Sequence, residues 1–436
     1  GTTAFNTAVG WTAGTAVTTG TYNTLIGAQS GDALTTGQEN VAVGTATLTA
    51  DTQGRNSVAI GHSALEAQNF TTATESHNVA IGHNTAKAIT TGISNTIVGG
   101  RAGDSLTDAD FNVAIGMDAL TADTLGSTST AIGLGTLSTQ NFTTATNTYN
   151  TAVGFQAGLS VTTGQNNTFI GALAGDATDD ANQCTAVGRS ALGNGNCGNN
   201  NTAFGYGALG DVTGTHNAGL GHNAGGTITS GSKNVIVGSY DGNENGLDIR
   251  TSSNNIVLSD GDGNPRVIVD GSGNLLVGKT AASDTTAGFE ITGGNVATIT
   301  SSSGFTYQVN DGSAFKWRVN ANGGVYNFQS NNVNLSDQRE KKNIEALDAQ
   351  WDAVKAWSVK EFHYNEDENS DSKKVGVIAQ DVETNHPNLV TDFELSEDKT
   401  RKAVKEQQMM WMAIKALQEA QDRIEQLEAR ITALES

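Results

Sequence analysis

The sequence predicts a mostly β protein: a trimeric parallel β-solenoid with coils of about 17 residues, then a β junction, then a C-terminal α/β domain with a coiled-coil helix. Three observations predict it. A glycine-centred motif returns at nearly constant spacing as far as Gly238. Beyond it, short apolar and aromatic stretches with period-two patterning are separated by turn residues. From Leu335 onward glycine falls, while charge and helical patterning rise together. These shifts divide the chain into repeats over 1–242, a junction over 243–336 and a C-terminal domain over 337–436, with the coiled coil from about 405.

The motif Asn-x-Ala-Val/Ile-Gly places Gly at 10, 27, 44, 61, 82, 99, 116, 133, 154, 171, 188, 205, 221 and 238. Steps are of 17 residues, except for two of 21 and one of 16. Both long steps carry the same insertion, Asn69-Phe70-Thr71-Thr72-Ala73-Thr74 and Asn141-Phe142-Thr143-Thr144-Ala145-Thr146. The residue four after each Gly runs Gly14, Gly31, Leu48, Leu65 and then begins again, so four coils form a 72-residue unit. A fixed period of this length is the signature of a solenoid.

The residue before Gly is aliphatic in almost every coil (Val9, Ile26, Val43, Ile60, Ile81), with Phe204 as the exception. Stacked coil on coil, it is expected to form a narrow apolar column in the solenoid, with the Ala two before Gly pointing the same way. Asn sits four before Gly in 11 of 14 coils, replaced by Ser57, Ser129 and Cys184 in the others, and predicts a ladder of stacked amides. A coil this thin buries little by itself, so trimerisation is expected. The hexapeptide Asn56-Ser57-Val58-Ala59-Ile60-Gly61 resembles the repeat of trimeric autotransporter adhesin heads. That resemblance implies a trimeric parallel β-roll and nothing about a ligand.

Other apparent motifs dissolve into this repeat. Gly205-Tyr206-Gly207-Ala208-Leu209-Gly210 matches a dinucleotide fingerprint but lacks a βαβ context. His62, His83 and His222 each follow a repeat Gly and read as solvated turn residues. Cys184 occupies the ladder position, which favours a free thiol over a bridge to Cys197. No cofactor and no metal is expected. The net charge of −21 argues against nucleic acid or an anionic membrane as partner. The acidity is uneven: residues 337–436 hold 22 of 45 acidic and 14 of 24 basic side chains, leaving the repeats charge-poor. No apolar run reaches the length of a membrane span, and no signal peptide opens the chain. The first residues fall inside a repeat, so an N-terminal anchor domain is expected to lie outside this sequence.

In the junction, Ile256-Val257-Leu258, Val267-Ile268-Val269 and Leu275-Leu276-Val277 are expected to form hairpins across Gly- and Asp-rich turns. The spacing of Asp260, Asp262 and Asn264 resembles the start of a calcium loop but lacks the closing Glu. Aromatic pairs follow: Phe305 and Tyr307, Phe315 and Trp317, Tyr326 and Phe328. They read either as a core shared by three chains or as an exposed platform for a sugar or protein receptor. Phe315 and Trp317, with Phe70 and Phe142 of the insertions, are the candidate receptor contacts.

The segment Leu335-Ser336-Asp337-Gln338-Arg339-Glu340-Lys341-Lys342-Asn343-Ile344 resembles the opening of endosialidase-type intramolecular chaperone domains of phage tailspikes and fibres. Val375-Gly376-Val377-Ile378-Ala379-Gln380-Asp381-Val382-Glu383 and His386-Pro387-Asn388-Leu389-Val390 continue the likeness. The resemblance implies a Ser–Lys dyad, Ser336 as nucleophile and Lys341 as base, cutting between Ser336 and Asp337, with no other turnover. It implies a homotrimeric tail fibre or tailspike on a virion, assembled in the host cytoplasm. Its partners would be other tail proteins and a host cell-surface receptor, a glycan among the candidates. Glu340 and Gln338 depart from the usual basic and apolar residues there, and an acidic neighbour favours protonated Lys341. Independently, Met410, Leu417, Ile424 and Ile431 at a, with Ala413, Ala420, Leu427 and Leu434 at d, predict a coiled coil. The rival readings are a polysaccharide-degrading tailspike, which needs paired carboxylates, and a bacterial trimeric surface adhesin.

Overall fold

The computed structural model describes residues 4–281, 338–364, 372–396 and 399–435, and five strand segments between 289 and 327. Those segments, Glu340, 393–396 and 399–400 are described by their backbone alone. The chain divides into two compact units, Gly1–Ser330 and Asn331–Ser436.

The first unit is a parallel β-solenoid. Fifteen short strands, from Thr7–Val9 to Ile256–Ser259, stack in parallel with no slip of register, Thr7 opposite Thr24 and Thr24 opposite Val41. The stack runs one coil beyond Gly238: Ile256 pairs with Val235 across another 21-residue step. The expected hairpins then follow, Pro265–Val269 on Ile256–Ser259 and Leu275–Val277 on Pro265–Val269, both antiparallel. Phe289–Ile291 extends this sheet, and Val296–Thr298, Phe305–Asn310, Phe315–Asn320 and Val325–Asn327 form a separate antiparallel one.

Register is held by the asparagines. Each buried Asn side chain accepts, through Oδ1, the backbone N–H of its counterpart one coil on: Asn95 N–H to Asn78 Oδ1 and Asn112 N–H to Asn95 Oδ1, both at 2.9 Å. Its Nδ2 donates to a carbonyl at the far end of its own coil, as from Asn95 to Ala109 at 2.7 Å. One side chain thereby ties the strand entry of two coils to a corner, in a place water does not reach. The repeat Gly is required twice over. At Gly116 φ is +133°, and a Cβ would stand 2.4 Å from the Gly133 carbonyl oxygen.

The expected apolar column is displaced. Adjacent strand residues must point to opposite faces, and the middle residue (Ala42, Ala59, Ala80, Ala114) is the buried one. The aliphatic residue before Gly points outward, and Ile26, Ile81, Ile115, Ile170 and Leu220 are exposed. The interior column explains the four-coil cycle. Where the middle residue is large, the residue four after Gly is glycine: Leu25 with Gly31, Ile97 with Gly103, Phe169 with Gly175. A Cβ on Gly31 would meet Leu25 at 2.8 Å, and one on Gly175 would meet Phe169 at 2.7 Å. Where the middle residue is Ala, as at Ala42, Ala59, Ala114 and Ala131, a buried Leu (Leu48, Leu65, Leu120, Leu137) fills the same space. Where both positions are small, as in Ala80 with Ala86 and Ala152 with Gly158, the neighbouring coil fills the space: a Cβ on Gly158 would stand 3.1 Å from Phe169.

Two layers in each of the first two four-coil units are polar instead. Seven residues after Gly the interior runs Val17, Leu34, Asp51, Gln68 and then Ile89, Leu106, Asp123, Gln140. Buried Asp51 accepts from Gln68 Nε2 at 2.7 Å and from the N–H of Gly54 and Phe70 at 2.9 and 3.2 Å. Gln68 also donates to Ser57 Oγ at 2.9 Å and accepts from Asn78 Nδ2 at 2.9 Å, so it carries the ladder across the Ser57 gap. Asp123, Gln140, Ser129 and Asn150 repeat the arrangement. Burial pushes both carboxyls above the usual range, against the pull of the glutamine and backbone N–H groups.

The second unit contains α1 (Trp351–Lys355), a hairpin of Val359–Phe362 and Lys374–Val377, α2 (Ala379–Asn385), a second hairpin of Val390–Ser396 and Lys399–Val404, and α3 (Glu406–Glu435). Its core is small: Val382, Leu389 and Met409, with Trp357, Val377, Val390, Val404 and Met412 against them. The Glu419 carboxylate of α3 accepts from the N–H of Gln350 and Trp351, both at 2.9 Å, and so caps the start of α1. Among the described residues no helix is long and apolar enough to cross a membrane.

Removing one ladder amide should be costly and local. Asn95→Ala strips the Asn112 N–H and the Ala109 carbonyl of their partners and should cost on the order of 2–4 kcal/mol. Thr96→Ala, exposed on the same coil, should stay within about 0.5 kcal/mol. Hydrogen exchange at the Asn112 amide is the readout, because stacked repeats open locally. The buried carboxyls predict a pH dependence. A carboxyl raised on folding stabilises fully below its unfolded value and loses that contribution as pH rises through the folded value. Relative to an Asp51→Asn/Asp123→Asn variant, the native chain should therefore gain melting temperature as pH falls from neutrality toward ~3.9. A difference of the opposite slope would contradict this.

Candidate functional site

The candidate cleavage site lies at the start of the second unit. Ser336 and Asp337, the expected nucleophile and the far side of the scissile bond, lie outside the described residues. The chain is described again from Gln338–Glu340, a single 3-10 turn closed by the Lys341 N–H donating to the Gln338 carbonyl at 3.2 Å. Asn343 follows in the left-handed region at φ +52°. The Lys341 side chain is exposed, and so is every residue from there to Ala349. A lysine becomes a general base only where desolvation or neighbouring charge lowers its pKa.

The remaining family-like motifs take structural positions. Lys374–Val377 is a hairpin strand leading into α2, and Val377, Val382, Leu389 and Val390 belong to the core or pack against it. Acidic residues of α2 reach both hairpins: Asp381 pairs with Lys360 and Glu383 with Lys402, each at 2.6 Å. These residues hold the unit together; they do not converge on the turn before Lys341.

The receptor candidates divide. Both insertions adopt one geometry, Thr74–Glu75 pairing with Gly54–Arg55 and Thr146–Asn147 with Gly126–Ser127. Their aromatic residues, however, point inward: Phe70 is 5% and Phe142 6% exposed. Phe70 and Phe142 are therefore corrected from surface contacts to plugs in the coil, since the N–H of each is fixed by a buried Asp. What each insertion exposes is polar and small: Thr71, Thr72 and Ala73 in one, Thr143, Thr144 and Ala145 in the other. Phe315 and Trp317 lie two apart on the strand Phe315–Asn320 and so share a face of it, but their side chains lie outside the described residues.

The calcium-like turn is occupied by its own loop. Asp260 accepts from the N–H of Asn264 at 2.9 Å and of Asp262 at 3.1 Å, and pairs with Arg266. Asn264 and Arg266 hold its carboxyl down at about 2.

One surface was not anticipated from sequence. On the parallel sheet both outward positions, three before Gly and one before Gly, are free of charge in all fifteen strands. The first series is Thr, Val, Ala or Ile, and the second Val, Ile, Leu or Phe. Beside it stand further exposed apolar residues, Trp11, Met117, Leu134, Phe155 and Tyr206, each directly after a repeat Gly. On α3 the a residues Met410, Leu417, Ile424 and Ile431 and the d residues Leu427 and Leu434 are likewise exposed, whereas Ala413 and Ala420 at d are half-buried. The signal available in sequence was this absence of charge at two positions of every coil.

Residues 336–391 match the family model described as chaperone of endosialidase. The match begins at Ser336 and takes in the turn, α1, the first hairpin and α2. No curated protein and no solved structure matches the chain significantly. The match and the β-solenoid together fit a protein of tail-fibre or endosialidase type.

Proposed function

We propose that this chain is the distal part of a trimeric phage tail fibre or tailspike for host attachment, whose C-terminal unit is a self-removing intramolecular chaperone. The observation that carries the proposal is the uncharged outward face of the solenoid sheet. An uncharged row of Val, Ile and Leu side chains, exposed at Ile26, Ile81, Ile115, Ile170 and Leu220 and half-buried at Val43, Ile60 and Ile132, is an unstable surface for a lone chain in water. Three identical copies bring three such faces to one axis, and closed symmetry leaves none unpaired. The exposed a and d residues of α3 supply a second, separate seam for the same three chains.

The order of events follows from folding kinetics. A parallel solenoid can slip by a coil, because successive strands look alike and non-local β pairing is slow. Helix association is local and fast. Trimerisation through α3 would bring three chains into common register before the solenoids associate. Cleavage would then use the Ser336 hydroxyl as nucleophile. Its oxygen bonds to the carbonyl carbon of the scissile Ser336–Asp337 linkage as the C–N bond breaks. Lys341 in its neutral form takes the hydroxyl proton and returns it to the departing Asp337 amine, and water then hydrolyses the ester to a Ser336 carboxylate and a free hydroxyl. Because Lys341 is exposed in the single chain, assembly has to supply its desolvation, which couples cutting to correct trimer formation. Losing the chaperone makes unfolding one-way and leaves the shaft kinetically stable. The strands around Phe315 and Trp317 would then lie near the new end, where a host receptor could be met. In this reading the chain resides on the virion tail.

Two outcomes test the proposal. Ile115→Lys with Ile132→Lys places charge on the outward face without touching the interior; sedimentation should show loss of the trimer with an unchanged far-UV spectrum. Native chains should release residues 337–436, whereas Ser336→Ala and Lys341→Ala should each retain the full 44.9 kDa chain on a denaturing gel. Normal cutting in Lys341→Ala would assign the base elsewhere. Intact native chains would mean a chaperone that stays attached.

A further inference from the structure

The two cysteines mark adjoining irregularities of the repeat. Cys184 takes the place of a ladder asparagine: its N–H still donates to Asn167 Oδ1 at 2.9 Å, and its thiol donates to the Gly198 carbonyl at 3.3 Å, as an amide would. Cys197 stands nine after its repeat Gly, a position occupied in other regular coils by exposed Thr19, Thr91, Asp108, Thr163 and Asp180. Here the side chain is turned inward and buried. Gly195 leaves no side chain in the interior column that Val161, Thr178 and Val212 occupy nearby, and the Cys197 thiol sits within 3.3 Å of Thr178 Oγ1. The result is two free, buried thiols with their sulfur atoms 3.7 Å apart.

We propose that Cys184 and Cys197 form a redox modification site, a dithiol that peroxide converts into an intrachain disulfide stapling one coil of the solenoid. The sulfurs are roughly 1.6 Å beyond the ~2.05 Å bond length, a gap that small side-chain rotations can close. The chemistry balances with hydrogen peroxide as the oxidant. One thiolate attacks a peroxide oxygen, the O–O bond breaks, and a sulfenic acid forms as the departing oxygen leaves as water. The second sulfur displaces the sulfenic hydroxyl, which leaves as a second water, and the S–S bond forms. Two electrons pass from the sulfur pair to the peroxide. Cys184 is the better first nucleophile: the Cys197 thiol and backbone N–H groups of Asn201 and Asn200 hold its thiol below the usual range, whereas Cys197 is pushed up by Cys184 and by burial. The bond would close a short loop within one coil and oppose the local opening to which solenoids are prone.

The test uses the full chain treated with hydrogen peroxide, then denatured, alkylated and mapped by mass spectrometry. The expected result is loss of both thiols and of two hydrogens in mass, with a peptide linking Cys184 to Cys197 of the same chain. Dithiothreitol should reverse it. Cys184→Ser and Cys197→Ser should each abolish the link and leave a single thiol to be alkylated or over-oxidised. Amide exchange between 185 and 201 should slow on the order of tenfold in the oxidised form. Retention of both thiols, separate sulfinic acids on the two residues, or a link between chains would overturn the proposal. Unchanged exchange in a fully bridged sample would overturn its stapling role.

Discussion

Everything in the solenoid depends on one side chain per coil satisfying the backbone of the next. Three-residue strands make few ladder hydrogen bonds of their own, and a chain so poor in large apolar residues has little burial with which to enforce register. The buried asparagine does this work by direction: Oδ1 faces the next coil, and Nδ2 faces the end of its own. The bonds fix how strand entries stack, not the length of the coil: the 16-residue coil keeps Asn217 N–H on Asn201 Oδ1, and the 21-residue coil before Ile256 keeps Asn255 N–H on Asn234 Oδ1. In the two coils interrupted by Ser57 and Ser129, the Asp51–Gln68 and Asp123–Gln140 pairs rebuild the missing contacts with longer side chains. The insertion and the polar pair are therefore one feature. The aspartate accepts the N–H of Phe70 or Phe142 within the inserted segment, and the glutamine reaches the asparagine that resumes the ladder.

The 72-residue cycle has the same origin in packing. Leu25, Ile97 and Phe169 each demand glycine on the facing corner, leucine fills that corner beside Ala42, Ala59, Ala114 and Ala131, and the coil before a large residue keeps both positions small, as in Ala80 with Ala86 and Ala152 with Gly158. A narrow interior cannot absorb an extra methyl by relaxation, so volumes are matched between neighbouring coils. Such a narrow interior also limits how much apolar surface one chain can hide. The remainder is carried on the outward face of the sheet, and the proposed trimer is the consequence of that limit.

Much of this was legible in the sequence, because periodicity survives without knowledge of contacts. Gly10 through Gly238 set the coil length, the asparagines announced the ladder, and the turns at Asp260 and Gly271 placed the hairpins. The direction of the strands was not legible. In Val-Ala-Ile or Thr-Ala-Val all three positions are small or aliphatic, so composition does not separate the inward residue from its neighbours. Alternation alone should have assigned Ala59 and Ile60 to opposite faces. Phe70 and Phe142 were misplaced for a different reason: an aromatic residue in an insertion reads as a loop tip until the buried aspartate that fixes its N–H is known. In the C-terminal unit the heptads from Met410 to Leu434 gave the helix, whereas the capping of α1 by Glu419 links residues too far apart for any local pattern. The inward turn of Cys197 follows from a missing side chain at Gly195, which no motif records.

The second unit illustrates how a family-like motif divides between chemistry and architecture. Val377, Val382 and Leu389 make a small core, Asp381 and Glu383 fasten α2 to two hairpins, and only the stretch from Ser336 to Lys341 carries the expected reactivity. For the proposed cleavage, exposure of Lys341 in the single chain leaves its desolvation to assembly, so the proposal stands on the trimer. Native mass spectrometry of the untreated protein tests it most directly. The account predicts a particle containing three copies of the solenoid unit, with or without their C-terminal units; a particle with the mass of one 44.9 kDa chain would contradict it.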